Sequence, residues 1–336
     1  VLLLYLVSRR IWGRRIGLLA AALAAVFPPL VLLSRDLVSE TLFIPLELGA
    51  LLCVLNFRRS GGALRWALAA GALCGLAALT RNTALALLLP VALGLWTVRP
   101  RLRPAALLAP LLAIACAVLV VTPWIVRDAA EFGRFVPVTT SAGIATAGTY
   151  NESSYRDGNS HGAWRYPQIV PGLSHLFATP GLDEAAVDVA LRDQAREFAF
   201  SHPGYVAETT AWNLLRLFEL SGGSVVDAQG RTVEDRGIGS AVSASERVGI
   251  AIVVILALLG VFALWRSRSR DPSLPPTIPH GPLFFWLVPL LMILVAAPIA
   301  GLPRYRLPAD PFLLTLAAIG LSWAWDRAKP GAERPV

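Results

Sequence analysis

Apolar residues run in long blocks separated by short polar ones, and most blocks approach the ~20 residues that an α-helix needs to cross a bilayer. They predict membrane helices over roughly residues 16–33, 37–57, 66–79, 83–98, 105–126, 248–265, 283–300 and 309–325. The two blocks flanking Arg81 are short, so that pair is expected to tilt little, to thin the bilayer or to form a partly re-entrant hairpin. The chain opens on Val1-Leu2-Leu3-Leu4-Tyr5-Leu6-Val7 followed by Ser8-Arg9-Arg10, which reads as the end of a further helix, so an N-terminal truncation is expected. A signal peptide would carry its positive charge before the apolar run, not after it. Ala67, Gly71 and Gly75, and likewise Ala70, Cys74 and Ala78, recur every fourth residue and predict a seam of small side chains where another helix approaches closely. Pro28-Pro29 and Pro298 fall near helix ends and are expected to end or bend a span.

Composition agrees with the pattern. With 55% hydrophobic and 15% charged residues and a mean hydropathy of +0.60, the 336-residue chain is too apolar for a soluble protein of its length. The fold class predicted is an all-α polytopic membrane protein. The net charge of +8 would suit a nucleic-acid binder, but most basic residues sit in short clusters between apolar blocks, where they set topology, and a nucleic-acid partner is rejected. One set of alternate loops holds Arg9, Arg10, Arg14, Arg15, Arg58, Arg59, Arg65, Arg99, Arg101, Arg103, Arg266, Arg268, Arg270, Arg327, Lys329 and Arg334, sixteen positive charges. The short loops of the other set hold Arg35, Arg81, Arg304 and Arg306, only four. Positive charge stays in the cytoplasm, so the first set is predicted inside, and the segment 127–247 and the Arg304 loop outside. The expected location is the plasma (inner) membrane, with several passes. The expected division is N-terminal membrane helices over 1–126, an extracytoplasmic domain over 127–247, C-terminal membrane helices over 248–326 and a cytoplasmic tail over 327–336.

The outer segment is the one soluble stretch, with fifteen acids against nine arginines between Arg127 and Glu246, a net charge of −6. Two helices are legible in it. Residues 183–201 put Val187, Leu191, Ala195 and Phe198 on one face, and residues about 204–220 put Tyr205, Trp212, Leu215 and Phe218 together. The second has a wide apolar face suited to a membrane surface or to the helix bundle. Residues 139–167 are rich in Gly, Ser, Thr, Asn and Tyr and read either as a polar loop able to hydrogen-bond a substrate or as plain turn chemistry. Asn151-Glu152-Ser153 matches a glycosylation acceptor. Cys53, Cys74 and Cys116 lie inside apolar blocks and read as packing residues, and His161, His175, His202 and His280 show no metal-binding spacing. No metal site is assigned and no cofactor is expected, with a divalent ion left open.

Candidate chemistry gathers at the predicted outer ends of helices. In Gly301-Leu302-Pro303-Arg304-Tyr305-Arg306-Leu307-Pro308-Ala309-Asp310-Pro311, the prolines are expected to hold the intervening chain extended, with Arg304 and Arg306 on one face. On the loop alone these are interfacial anchors. The functional alternative is a two-pronged clamp for a phosphate, since guanidinium groups donate paired hydrogen bonds to it. Asp36 and Glu40, four residues apart, read either as a paired acid and base or as charges that complement a helix N-terminus. Arg81 and Arg127 complete the set of ionisable groups converging on a polar cavity, with a structural ion-pair network as the alternative.

Several motifs, taken in order, resemble the membrane glycosyltransferases of the GT-C class, in particular the glycosyltransferase family 39 group with its protein O-mannosyltransferases and lipid A aminoarabinose transferases. They are Pro28 through Ser39-Glu40-Thr41-Leu42-Phe43, Gly71 through Thr80-Arg81, Thr122-Pro123-Trp124-Ile125-Val126-Arg127-Asp128, His202-Pro203, and Pro303 through Pro308 with Pro311. The resemblance implies a GT-C-like helix bundle with a mainly helical outer domain. It implies transfer of a hexosyl or pentosyl group from a polyprenyl-phosphate donor to a lipid, glycan or protein acceptor at the outer face of the cell envelope, with inversion. Arg304, Tyr305 and Arg306, with Arg81 and Arg127, would then bind the lipid phosphate. In the family the principal catalytic aspartate lies in the first outer loop, which is expected to precede Val1, so Asp36 and Glu40 are the acidic candidates within the chain, and the chain as given is expected to be inactive. A lipid or polysaccharide transporter or flippase is the competing class, disfavoured by the lack of an internal repeat.

Overall fold

The structure is a computed structural model and describes residues 1–34, 38–96, 104–136, 138–223, 225–226, 232–233, 240–267 and 278–328. In chain order the helices are α1 (Leu2–Trp12), α2 (Arg14–Val26), α3 (Pro28–Leu33), α4 (Ser39–Arg59), α5 (Leu64–Thr80), α6 (Leu88–Leu95), α7 (Pro104–Phe132), α8 (Ala142–Ala147), α9 (Glu152–Tyr155) and α10 (His175–Ala178). They continue with α11 (Glu184–Ser201), α12 (Pro203–Leu217), α13 (Ser240–Arg266), α14 (Leu283–Ala296) and α15 (Asp310–Ala328), and 3-10 turns occupy Asn82–Leu87, Pro167–Ile169 and Pro303–Ala309. Three two-residue strands, β1 (Trp164–Arg165), β2 (Val225–Val226) and β3 (Thr232–Val233), form a small sheet in that order, parallel between β1 and β2 and antiparallel between β2 and β3. The protein is therefore an all-α polytopic membrane protein. Among the described residues, four helical segments, Ser39–Arg59, Ala106–Phe132, Ala244–Arg266 and Pro303–Ala328, are long and apolar enough to cross a bilayer, and Leu64–Thr80, Asn82–Leu95 and Leu283–Ala296 are shorter apolar helices.

Local chemistry explains most boundaries. Gly13, at φ 91°, adopts a backbone that other residues avoid and so separates α1 from α2. The block expected as one element over 16–33 is broken, because Pro28 keeps Phe27 out of the helical region, at φ −73° and ψ 112°. At the other end of the scale, α7 does not stop at Val126 but continues to Phe132, carrying Arg127 inside the helix until Gly133 turns the chain at φ 61°. The expected end of that block at 126 is thus corrected: neither Arg127 nor Asp128 disfavours a helix enough to stop it.

The chain divides into two compact units. The first comprises Val1–Val118, Gly239–Leu290 and Leu307–Val336. In it α13 lies against α15 so closely that a methyl group on Gly260 would come 2.1 Å from the carbonyl oxygen of Leu316, and one on Gly320 would come 2.4 Å from that of Leu256. The predicted seam on α5 is used in the same way, with Gly71 against the backbone of Ala113 on α7 and Ala67, Ala70, Cys74 and Ala78 buried. Small residues matter here because lipid offers no hydrophobic drive between helices, and close backbone packing replaces it. Basic residues of the predicted inner set meet at common helix ends: Arg10 donates to Asn56 Oδ1, Arg15 pairs with Asp326 at 2.6 Å, and Arg58 Nε donates to Gly94 O at 2.7 Å.

The second unit comprises Leu119–Ile238 and Leu291–Arg306. The two helices expected in the outer segment are present as α11 and α12, and Asp183 caps the first by accepting from Ala186 N at 2.7 Å. Val187, Leu191 and Ala195 of α11 are buried with Tyr150, Val170, Leu173 and Tyr205. The face of α12 that is buried within the unit is only partly the apolar one, with Tyr205 and Leu217 buried. Tyr205, Thr209, Asn213 and Arg216 face inward, whereas Leu214 and Leu215 are 38% and 41% exposed. The inward polar groups meet backbone carbonyls from distant segments: Tyr205 OH donates to Thr149 O at 2.9 Å and Asn213 Nδ2 to Ala297 O at 2.9 Å. The stretch 139–167 is likewise a packed element and its polar groups are largely spent on its own architecture. Asn151 is buried, donating through Nδ2 to Ala147 O at 2.8 Å and accepting from Ser154 N at 2.8 Å, so it is not available as a glycosylation acceptor.

Two outcomes follow for stability. Gly260→Ala is expected to cost about 1–3 kcal/mol, because the methyl collides with backbone and not with a movable side chain. Gly222→Ala, which has open space around it, should leave thermal unfolding of the detergent-solubilised protein unchanged. Burial raises the phenols of Tyr150 and Tyr205 from 10.0 to about 12. A raised acid favours the folded state below its unfolded value, so this contribution is complete below pH 10 and is lost as pH climbs toward 12. Alkaline unfolding in that window should weaken its pH dependence in Tyr150→Phe and Tyr205→Phe, read by tyrosinate absorbance together with the unfolding midpoint.

Candidate functional site

In the first unit the structure joins two residues that are 41 positions apart. Glu40 stands in the first turn of α4, where a negative charge complements the helix dipole. Arg81 is the residue at which α5 ends, with an extended backbone (φ −153°, ψ 131°) that turns its side chain away from the helix. Its Nη1 donates to Glu40 Oε1, while Ser39 Oγ donates to Oε2 at 3.1 Å. The pair is dry, with side-chain exposures of 10% and 2%. A guanidinium buried at a helix end is tolerable because a carboxylate neutralises it, and that carboxylate is in turn held by a hydroxyl. Asp36, the other acidic candidate, lies outside the described residues.

The same helix carries an acid that sequence reasoning passed over. Glu47 is seven residues beyond Glu40, about 10 Å along the same face of α4, and is fully buried. Neither of its carboxyl oxygens has a hydrogen-bond partner among the described residues. The available signal was its position as an ionisable side chain in the middle of an apolar block, which is costly and therefore marks function until another role is found.

In the second unit the Arg304 segment is not extended, contrary to expectation. Pro303–Ala309 is a 3-10 turn, opened by the bond from Tyr305 N to Leu302 O at 2.9 Å, with Pro303 in the first position where its missing N–H costs nothing. At three residues per turn, positions two apart point in different directions, so Arg304 and Arg306 do not share a face. Arg306 is turned fully inward; its Nη1 donates to Leu217 O at 2.5 Å, lies 3.5 Å from Glu219 Oε1, and its guanidinium sits 6.0 Å from the Phe218 ring centre. Arg304 is half-buried with its guanidinium 5.4 Å from the ring centre of Tyr305, and that ring packs on Leu217, Ala296 and Leu302. Gly301 allows α12 to come within contact of this segment, since a methyl there would be 2.8 Å from Arg216 Cβ and 2.8 Å from Asn213 Oδ1.

Arg216 is the second residue that the pattern of the sequence did not single out. It is 4% exposed, donates to Asn213 Oδ1 at 3.1 Å and Ser160 O at 3.4 Å, and has no carboxylate partner among the described residues. Burial lowers its guanidinium below the ordinary value, and neutral acceptors only partly compensate the lost water. Arg127, by contrast, is 60% exposed, donates to the buried Asp128 at 2.8 Å and lies 4.7 Å from the Trp124 ring centre. Cys53 and Cys74 are buried free thiols, as their apolar setting predicts. Among the described residues no group of three His, Cys, Asp or Glu side chains is placed to hold a metal ion.

The acids of α4 are expected to separate by role. Removing a partner from a buried pair costs more than replacing a buried acid that makes no hydrogen bond by an apolar group of similar size. Arg81→Ala should therefore lower stability by about 3 kcal/mol, while Glu47→Leu should raise the unfolding temperature. A fall in the Glu47→Leu midpoint would mean that the acid is bonded in the membrane-embedded protein.

Neither a curated protein nor a solved structure matches the chain. Residues 1–126, which contain α1 to α6, most of α7 and the Glu40–Arg81 pair, match the family model described as dolichyl-phosphate-mannose-protein mannosyltransferase. The match covers 126 of the 336 residues, and over that part the chain is similar to GT-C, glycosyltransferase family 39-type membrane proteins.

Proposed function

We propose that the protein transfers a sugar from a polyprenyl-phosphate donor to an acceptor hydroxyl at the outer face of the membrane, with inversion at the anomeric carbon. The acceptor oxygen attacks the anomeric carbon from the side opposite the phosphate and loses its proton to a carboxylate base. The bond from the anomeric carbon to the phosphate oxygen breaks, and its electron pair leaves with the lipid phosphate. Charge thus grows on the phosphate as the bond opens, and fixed cations placed there lower the barrier most. We assign that task to the turn carrying Arg304, Tyr305 and Arg306. Arg81, which Glu40 holds in place in the first unit, is an alternative candidate for binding the phosphate. Arg127, exposed at the end of α7, suits the rim of such a site better than its interior. The acceptor, a lipid, glycan or protein, and the sugar are properties of pocket shape.

The observation that carries this reading is the arginine turn itself. A fully buried Arg306, a half-buried Arg304 and the buried Arg216 lie around the C-terminal end of α12 within one unit. Interfacial anchors would keep their guanidinium groups in water or among headgroups, whereas arginines grouped at one turn and drawn into the protein suit recognition of a phosphate.

Binding of polyprenyl phosphate to the purified protein in nanodiscs tests the assignment. Arg304→Ala, which removes a half-buried group, should weaken binding about tenfold, roughly 1.4 kcal/mol. Arg306→Lys keeps the charge but loses the planar fork and should weaken it as well. Equal binding by parent and both variants would return these arginines to a purely structural role.

A further inference from the structure

One buried charge in the second unit meets no opposite charge among the described residues. Arg216, on the inward face of α12, is 4% exposed and makes two hydrogen bonds, from Nη1 to Asn213 Oδ1 at 3.1 Å and from Nη2 to Ser160 O at 3.4 Å. Both acceptors are neutral. Its Nε is buried and donates to no described group, so part of the guanidinium fork is unused. Two other arginines turned inward in this unit each meet a carboxylate. Arg306 pairs with Glu219, which ends α12 in a left-handed position where glycine is usual, at φ 60°, and Arg165 pairs with Asp157. The Tyr205 phenol, whose field reaches Arg216, supplies no charge at neutral pH, because burial raises it to about 12. A cation buried with neutral oxygens alone leaves its desolvation largely unanswered.

The surroundings of Arg216 indicate which anion would answer it. Asn213 Nδ2 donates to Ala297 O at 2.9 Å, which aims Oδ1 at Arg216, and Leu217 packs with Ala296 and Ala297 at the end of the apolar helix α14. On the opposite side of the same stretch of α12, Leu214, Leu215 and Leu220 are exposed. Arg216 therefore stands where an apolar helix leaves the hydrocarbon layer, which is the depth of lipid phosphate groups. An arginine answers a phosphate with paired hydrogen bonds, and the unused Nε of Arg216 with one Nη forms such a pair of donors. Gly301 lets the chain leading to the arginine turn lie against this side chain, since a methyl there would be 3.0 Å from Arg216 Cδ.

We propose that the phosphate group of the lipid donor is the missing counter-charge of Arg216, which makes Arg216 a binding residue of the phosphate site, carried on α12 and not on the arginine turn. The inference rests on the reading of this region as the donor-phosphate site. A purely structural role makes different predictions. An arginine kept only to join Asn213 to the Ser160 carbonyl would stabilise the empty protein and be indifferent to phosphate. An arginine that lacks its anion weakens the empty protein and stabilises the occupied one.

The test uses the full chain in phosphatidylcholine nanodiscs, titrated with polyprenyl phosphate or inorganic phosphate, with unfolding temperatures measured in the presence and absence of each. Arg216→Gln removes the charge but keeps an amide donor, and Arg216→Lys keeps the charge without the fork. Arg304→Ala reports on the turn, and Arg196→Gln controls for the loss of an exposed cation from the same unit. Arg216→Gln should unfold no earlier than the parent when empty, and should bind polyprenyl phosphate about tenfold more weakly. It should also lose most of the rise in unfolding temperature that the lipid gives the parent. Arg216→Lys should bind more weakly than the parent as well, and decides the matter if the glutamine variant folds poorly; Arg196→Gln should match the parent. Parent-like binding by both Arg216 variants overturns the inference, and a weakened Arg304→Ala in the same series then leaves the turn as the phosphate site. Protection of the parent by inorganic phosphate at the concentrations at which the lipid acts would make the free ion the ligand and overturn the assignment to a lipid. Binding by neither the parent nor any variant overturns the reading of the region, and the inference with it.

Discussion

An arginine taken out of water must be answered by an anion or by several oriented oxygens, and this requirement governs both units of the protein. In the first, it ties the start of α4 to the end of α5 through Glu40 and Arg81, and Ser39 completes the carboxylate's bonding. In the second, it draws the Leu217 carbonyl and Glu219 to Arg306, and the Asn213 side chain and Ser160 carbonyl to Arg216. One answering oxygen, the Leu217 carbonyl, comes from a helix end, where carbonyl groups lack their own helical donors, and the others are side-chain oxygens and a loop carbonyl.

Such polar clusters are affordable because the helices between them pack through contacts of a different kind. Gly260 and Gly320 bring α13 and α15 to backbone contact, and Gly71 does the same for α5 and α7. Contacts of that type need no side-chain length, so helix pairing is set by small residues along the membrane-embedded lengths while long polar side chains remain free for the ends.

Much of this was legible from the chain. Block lengths located the apolar helices, Asp183 and Pro203 bounded α11 and α12, and the every-fourth-residue spacing on α5 marked its contact face. These are local signals, decided by residues within a turn or two. What escaped depends on partners far away in sequence. The inward polar stripe of α12 makes sense only once the carbonyls of Thr149, Ser160 and Ala297 are brought beside it. The prolines of Pro303–Ala309 favour an extended chain, but the bond from Tyr305 N to Leu302 O and the inward turn of Arg306 accompany a 3-10 turn instead. Glu47 and Glu219 were missed differently: each breaks a local preference, an acid within an apolar block and a side chain in a glycine position, and such breaks are where function is to be sought.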